Sequence, residues 1–310
     1  MLLAIADRGI GDALTLLPSL AALRGARPDL HLELLTPGLF PLGENLRDIA
    51  TVLDHRPLAG LIPEARLAWL LDRDPRWVWN TEAEQGPWAR ALGTASRPTW
   101  VTAPSQRHWG SRNVLPVRFA QLRVLFPDLP RPGEVRLPLT PSQEAARRGF
   151  RESLPPGERL VAIQPGAGDA RRVWPAEKFR RLARILAERP QVTVLVFVGE
   201  GEQRFRAPGY LTERSNLRLV SEPLEDVVPR LAACDVCISN DSGFYHLAFA
   251  LGVRAVSIHR SVRGARRWSY RSPRSRAVCN WMPRQLDPEW GRWVSVSRVL
   301  RAVRRLAPGV

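Results

Sequence analysis

"DVCISNDSGFYHLAFALGVRAVSIH", residues 235–259, decides how the chain folds. "DVCIS" and "AVSIH" are apolar runs of strand length, and the segment from residue 242 between them carries a helical pattern. A strand, a polar turn, a helix and a second strand form the repeating unit of a parallel sheet. The turn gathers Asp241, Ser242 and Gly243 at the helix start, and His246 follows one turn later on the face of Ser242. Two readings of these residues stay open. Asp241 or Ser242 can cap the helix by accepting from its exposed amides, or the cluster can bind sugar hydroxyls or phosphate at a helix N-terminus. A Ser-His-Asp hydrolase fits poorly, because a nucleophile elbow places its Ser in G-x-S-x-G with partners on distant loops. A metal site would need a second His or Cys nearby.

The same rhythm runs outward in both directions. In the second half, strands are expected at "LVAIQ" (160–164), "VTVLVFVG" (192–199) and "NLRLV" (216–220), with helices from Pro175 to about Glu188 and near 224–233. In the first half, "LLAIA" (2–6), "HLELLT" (31–36), "TVLDH" (51–55) and "RWVWN" (76–80) read as strands, and residues 12–24 as a helix. Pro and Gly thicken between 127 and 157, which places a linker there and divides the 310 residues into domains 1–150 and 151–310. Two doubly wound α/β domains follow, with ligands expected in the loops after strands. The last stretch, "WGRWVSVSRVLRAVRRLAPGV" (290–310), is expected to form a helix packing Trp293, Val296, Val299, Leu300 and Val303 on its own core.

The charge balance is basic: 46 Lys plus Arg against 30 Asp plus Glu, a net +16, with Lys178 the single lysine. Anionic partners are favoured. A GC-rich coding sequence accounts for much of the Arg excess, so functional weight rests on Arg residues inside motifs. Nucleic-acid binding is disfavoured, because no recognised module is present and the Arg residues are spread along the chain. Three Cys are too few for a disulfide framework, and Cys234 and Cys237, in "AACDVCIS", read as core residues. Asp7, Arg8 and Asp12 interrupt the apolar N-terminus, and no stretch of 18 apolar residues occurs. A cytoplasmic protein, soluble or peripheral, is expected.

Two further strand-to-helix loops carry chemistry. In "IADRGIGDAL" (5–14), Gly9 and Gly11 permit close backbone approach to a ligand. Asp12, at the helix start, reads on its own as a cap or a dipole partner. In "IQPGAGDARRVWPAEKF" (163–179), Gly166 and Gly168 leave backbone amides open, Arg171 and Arg172 supply positive charge, and Pro175 opens a helix. That is the equipment of a diphosphate cradle.

Together the three loops resemble the ADP-heptose:lipopolysaccharide heptosyltransferases of glycosyltransferase family 9. The resemblance is carried by Gly11 and Asp12 in the first loop, and by "PGAGDARRVWP" against the family's "PGA…K-x-W-P". It is completed by "DSGFYHLAFALG" (241–252) against "D-[ST]-G-x-x-H-[LI]-A-x-A-[LM]-G". It implies a GT-B type fold, α/β, with two Rossmann-like parallel-sheet domains facing across a cleft. The acceptor would lie on the N-terminal domain and the nucleotide sugar on the C-terminal one, with the terminal helix near 290–306 packing back on the N-terminal domain. Asp12 would be the general base of an inverting displacement that needs no metal and no cofactor, with Gly9 and Gly11 on the acceptor side. Gly166, Ala167 and Gly168 would approach the diphosphate together with Arg171 and Arg172, Arg172 standing in place of the usual Lys. Asp241, Ser242, Gly243 and His246 would hold the donor's sugar and diphosphate. Glu202 would contact the ribose, with Glu200 competing for that role.

The implied partners are ADP-heptose and an anionic glycan or glycolipid acceptor at the inner membrane face, in lipopolysaccharide or cell-envelope glycan synthesis. Three positions depart from the family: Gly168, where Ser or Thr is common; Arg172; and "HRSVRG" (259–264), where the family has "FGPTDP". His259 in that segment is read as a plain surface residue. Trp69, Trp77, Trp79, Trp88, Trp100 and Trp109 are read as core, some being available to stack on sugar. A second function consistent with the departures is a non-catalytic nucleotide- or glycan-binding protein on the same fold.

Overall fold

Leu2–Ile5 (β1) and Leu32–Leu35 (β2) are buried at every position, as strands become when helices cover both faces of a parallel sheet. In the computed structural model the chain divides into two units, Met1–Pro138 and Leu139–Val310. The structure describes residues 1–6, 9–83, 86–96, 98–103, 110, 112–199, 202, 205, 210–211, 214–281 and 290–310. The first unit adds Thr51–Leu53 (β3), Trp77–Ala83 (β4) and Thr99–Ala103 (β5) in the order β3-β2-β1-β4-β5, every pair parallel. The second contains Arg159–Gln164 (β6), Val192–Phe197 (β7), Leu217–Val220 (β8), Val236–Asn240 (β9), Arg254–His259 (β10) and Ser275–Cys279 (β11). Its order is β11-β10-β9-β6-β7-β8, again all parallel.

Each sheet therefore winds outward from its first strand and then returns to that strand's other side. The reversals fall between β1 and β4 in the first unit and between β6 and β9 in the second. At such a reversal the two flanking helices lie on opposite faces, which leaves a crevice at the carboxyl ends of the strands.

β5 and β11 were not expected from the sequence. Both are edge strands, and β11 is half exposed, so neither carries a continuous apolar run. The expected helix at 12–24 is two, Ile10–Leu14 and Leu17–Ala26, and Pro18 opens the second.

The division falls at 138/139, twelve residues before the expected boundary, because the helix Pro141–Glu152 lies inside the expected linker. A reciprocal Thr140–Gln143 capping box starts that helix. It joins the second unit through Arg151 Nη2, 2.9 Å from Asp235 Oδ2, which also accepts from the Leu160 amide at 2.8 Å.

The terminal helix Val296–Leu306 begins at Ser295, whose side chain accepts from the Arg298 amide, and it buries Val299 and Val303. It packs within the second unit on β10, β11 and the helix Ala176–Ala187. Trp293, expected on the packed face, is instead 47% exposed because it precedes the helix in a 3-10 turn. The single lysine explains why that turn stays in place: Lys178 Nζ donates to the carbonyls of Gly291, Arg292 and Val294 at 2.6, 3.1 and 3.1 Å.

Cys234 and Cys237 are buried, and burial pushes both thiols up, so they are inert core residues. Trp79 and Trp88 are fully buried, and Trp88 Nε1 donates to His55 Nε2 at 2.9 Å. Trp69 meets Trp88 edge-on, Trp77 packs on Phe126, and Trp100 lies against the core, while Trp109 falls outside the described residues. Among the described residues no helix is long and apolar enough to cross a membrane.

Candidate functional site

In the first unit, Gly9 occupies the cap position of the helix Ile10–Leu14 with φ 150° and ψ −178°, a conformation side chains disfavour. Gly11 lies in that helix and Asp12 in its first turn, so Asp12 is not the cap. Its carboxylate instead faces Arg118, with Nη2 3.6 Å from Oδ1. Arg118 belongs to the helix Val114–Leu125 and is 2% exposed, and its Nη1 donates to the Thr81 carbonyl on β4 at 3.1 Å. Thr81 Oγ1 donates in turn to the Ile5 carbonyl at 2.7 Å. Asp12 is thus held at the β1–β4 reversal by a buried cation, while its own side chain keeps 18% of its surface open. A carboxylate fixed on one side and open on the other can accept a proton in a defined direction. Gly38, in the loop after β2, packs so closely on the Gly9–Ile10 backbone that a Cβ there would overlap it. Asp7 and Arg8 fall outside the described residues.

In the second unit, Asn240 at the end of β9 organises the loop after β6. Its Nδ2 donates to the carbonyls of Pro165 and Gly166 at 2.7 and 3.0 Å, and its Oδ1 accepts from the Trp174 amide at 2.9 Å. Arg172 Nη1 donates to the Asp241 carbonyl at 3.2 Å, which ties the same loop to the D-S-G turn. Glu202 lies directly against Gly166, where a Cβ would overlap its carboxylate. That carboxylate accepts from Gln164 Nε2 at 2.8 Å and from the Gly199 amide at 2.9 Å. Gly166, Arg172, Glu202, Asp241 and Ser242 therefore meet at the carboxyl ends of β6 and β9, where this sheet reverses.

Other expected residues stand differently. Arg171 turns away into a two-pronged pair with Asp169 and is 74% exposed. Ala167 is half-buried, Gly168 is exposed, and the space a Gly168 side chain would fill is open. Glu200 falls outside the described residues.

The turn of the D-S-G motif does not cap its helix with a side chain. Ser242 holds the cap position of the helix Gly243–Ala250 without a capping hydrogen bond, and its hydroxyl donates to Gln164 Oε1 at 3.3 Å. His246 is buried among Tyr245, Trp268 and Tyr270, with Nδ1 2.8 Å from the Tyr270 hydroxyl. Burial pushes it down to about 4, so it is neutral near pH 7. Burial pushes the Asp241 carboxyl up, but the facing His259 imidazole, then Arg172 and His246, more than offset this and hold it below its usual range.

His259 is not a surface residue. It ends β10 fully buried, with Nδ1 3.6 Å from Asp241 Oδ2 and Nε2 within 2.9 and 3.1 Å of the Ser257 and Ser269 hydroxyls. The 259–264 segment reads as a loop, yet the β10 ladder extends through His259, whose partner is Cys279, and this turns the ring inward. Gln164, Asn240, Arg118 and Gly38 were also missed. Gln164 and Asn240 were legible as polar residues closing apolar strands; Arg118 carried no such mark among so many arginines. Among the described residues no three His, Cys, Asp or Glu come together to hold a metal ion.

The sequence profile of "Glycosyltransferase family 9 (heptosyltransferase)" matches residues 110–291. No curated protein sequence matches the chain. Among solved structures, the glycosyl transferase family 9 protein of Veillonella parvula is 15% identical, with 98% of this chain and 96% of that one covered at a TM-score of 0.78. The E. coli ADP-heptose lipopolysaccharide heptosyltransferase II is 16% identical, with 98% of each chain covered at a TM-score of 0.75. The E. coli heptosyltransferase WaaC with ADP is 15% identical, with 99% of each chain covered at a TM-score of 0.69. At these identities the likeness is one of fold, and it is the expected one, two parallel-sheet α/β units of the GT-B type. With the family profile spanning more than half of its length, the chain belongs to glycosyltransferase family 9, as a glycosyltransferase of the heptosyltransferase type.

Proposed function

We propose that this glycosyltransferase moves a heptose from ADP-heptose to a hydroxyl of an anionic glycan or glycolipid, by an inverting displacement that uses no metal. The observation that carries the donor half is the strapping of the Gly166–Arg172 loop to the D-S-G turn, by Asn240 and by the Arg172 guanidinium. A nucleoside diphosphate gathers negative charge as it leaves. Fixed amides at Gly166, Ala167 and Gly168, the start of the helix Gly243–Ala250 and the Arg172 charge stabilise that charge without reorganising. Asp241, neutral His246 and Ser242 offer acceptors and a donor for sugar hydroxyls. Glu202 holds the loop through Gln164 and Gly199, and its carboxylate is the candidate contact for the ribose. The choice of ADP follows the ADP bound to the similar E. coli WaaC.

Asp12 is the general base in this reading, aimed by Arg118, with the acceptor approaching over the Gly9–Gly11 turn. A correctly placed base contributes on the order of 10² to 10⁴ in rate. The protein is cytoplasmic in this reading, and its net charge of +16 draws it to an anionic acceptor, peripherally at a membrane face. The test is Asp12→Asn with ADP-heptose and an extracted lipid acceptor. Transfer is expected to fall by about 10² or more while calorimetry shows ADP affinity within about twofold of the parent. Unchanged turnover in Asp12→Asn would remove the base assignment, and a parent that binds no ADP would remove the donor.

A further inference from the structure

The basic charge of the chain is divided unequally. The first unit holds 16 basic residues against 14 acids and the second holds 30 against 16, so the net charge of +16 lies almost wholly in the second. A GC-rich coding sequence acts on both units alike and does not account for that division. Within the second unit the excess is concentrated further. Residues 242–310 carry 14 Arg and two acids, and residues 254–276 carry eight Arg and no acid. The two acids, Asp287 and Glu289, fall outside the described residues, and the excess stands with both counted against it.

The fold gathers these arginines along one edge of the second sheet. β11 pairs with β10 on one side only, and the helices Val262–Trp268 and Val296–Leu306 pack on these two strands. Arg254 opens β10, Arg271 precedes β11 and Arg276 lies in it; all three are exposed and have no ion pair among the described residues. Arg263 and Arg266 stand exposed on the helix Val262–Trp268. Of the acids on neighbouring elements, Asp235 is held by Arg151 and Arg159 at 2.9 and 3.7 Å, Glu177 is held by Arg180, and Asp241 faces His259. Like charges so placed repel one another, which costs the folded unit stability until an anionic partner offsets it. At the carboxyl end of β11, Trp281 and Trp293 are 66% and 47% exposed. Arg298 ties their segments together, donating to the Trp293 and Cys279 carbonyls at 2.9 and 3.0 Å. Exposed indole rings beside arginines suit the headgroup layer of a membrane, where the ring enters the interface and the guanidinium meets phosphate.

We propose that this edge of the second unit docks the protein on an anionic lipid surface, with the headgroup phosphates as the group recognised. The proposal deepens the reading of a glycolipid acceptor at a membrane face, yet docking needs neither donor nor acceptor and is measured without turnover. The whole chain would be floated with vesicles of phosphatidylcholine and with vesicles that also contain phosphatidylglycerol. Binding is expected to the anionic vesicles alone, and it is expected to vanish toward about 1 M salt, where the Debye length is about 3 Å. Arg254→Ser, Arg271→Ser and Arg276→Ser together are expected to lower the partition coefficient about tenfold or more. Arg47→Ser, Arg131→Ser and Arg136→Ser, which take the same charge from exposed positions of the first unit, are expected to leave it within about twofold.

Three results would overturn the proposal. The chain shows no preference for the anionic vesicles, the two triple variants lose binding equally, or duplex DNA at matched phosphate concentration displaces the vesicles. The last would make a nucleic acid the better occupant of the edge. Transfer to a detergent-extracted acceptor by a chain that binds no vesicle would refute the docking edge and leave the transferase reading standing. A chain that docks but transfers nothing would do the reverse.

Discussion

Gly166→Ala isolates the contact that fixes the cradle. A methyl at residue 166 would overlap the Glu202 carboxylate, while the Gly166 backbone lies outside the left-handed region, so the cost is one of contact and not of φ. The obstacle is the far end of a flexible side chain, which can swing away. Swinging away breaks the bonds to Gln164 Nε2 and to the Gly199 amide, at 2.8 and 2.9 Å. At about 1 kcal/mol each for a partly exposed acceptor, the loss is about 2 kcal/mol. Replacing Gly by Ala at a tolerated φ returns up to about 1 kcal/mol through the unfolded chain. The net expectation is a destabilisation of about 1–2 kcal/mol. In a Glu202→Ala background the obstacle and both bonds are already gone, so the same substitution should be neutral or stabilising by up to about 1 kcal/mol. Urea unfolding of the four chains gives the coupling, and hydrogen exchange over residues 192–199 reports the Gly199 amide directly. Additive effects, with Gly166→Ala costing the same in both backgrounds, would refute the contact as the reason for glycine at this position.

Two further substitutions probe the donor half. His246 is held down to about 4 against an ordinary 6.5, so between those values the unfolded chain binds more protons than the folded one and stability falls as the pH is lowered. Unfolding at pH 7 and pH 5 should differ by about 2 kcal/mol from this group, and His246→Phe should remove that part of the slope; a variant with the parent's slope would refute it. His259→Phe, which puts the family's residue type at this position, takes away the imidazole facing Asp241. It should cost about 1–3 kcal/mol of stability and raise the ADP dissociation constant, with His259→Asn restoring part of both; an ADP affinity untouched by either variant would separate His259 from the site.

The parallel sheets were legible because their inner strands are continuous apolar runs: "LLAIA", "LVAIQ" and "VTVLVF" permit little else. Two of the four edge strands were not: β5 and β11 each pair on one side only and tolerate Thr and Arg, whereas the edge strands β3 and β8 carried enough apolar residues to be expected. The helix inside the Pro- and Gly-rich stretch was legible in principle, because Thr140, Pro141 and Gln143 spell a helix start in the middle of it, but Pro and Gly were weighted above the capping box. The glycines of the cradle were legible as glycines, but the reason for Gly166 is Glu202, 36 positions later, and no local pattern joins them. Arg118 and His259 act through burial against a carboxylate set by another element. Such pairings belong to tertiary structure and leave no spacing in the sequence.

The choice between cap and site for the D-S-G turn is informed by how this chain treats its other helix starts. Asn113, Thr140, Ser261 and Ser295 occupy cap positions, and each accepts from the amide of the second or third residue of its helix. Ser242 has the same chemistry at the same position and makes no such bond. A cap contributes about 1 kcal/mol, so its absence at a residue able to supply it calls for a competing use of the hydroxyl and of the amides. The hydroxyl has one in Gln164 Oε1. For the amides, the surroundings favour an anion: Arg172 reaches the turn from the neighbouring loop, and His246 is neutral and adds no charge of its own. Asp241, the one acid at the turn, is buried and faces His259, which leaves the helix start open to a second negative charge. In the proposed reading the turn is therefore half of a diphosphate site rather than a cap with a histidine nearby, and the same reading fits Gly9, which begins the corresponding helix of the first unit without any side chain.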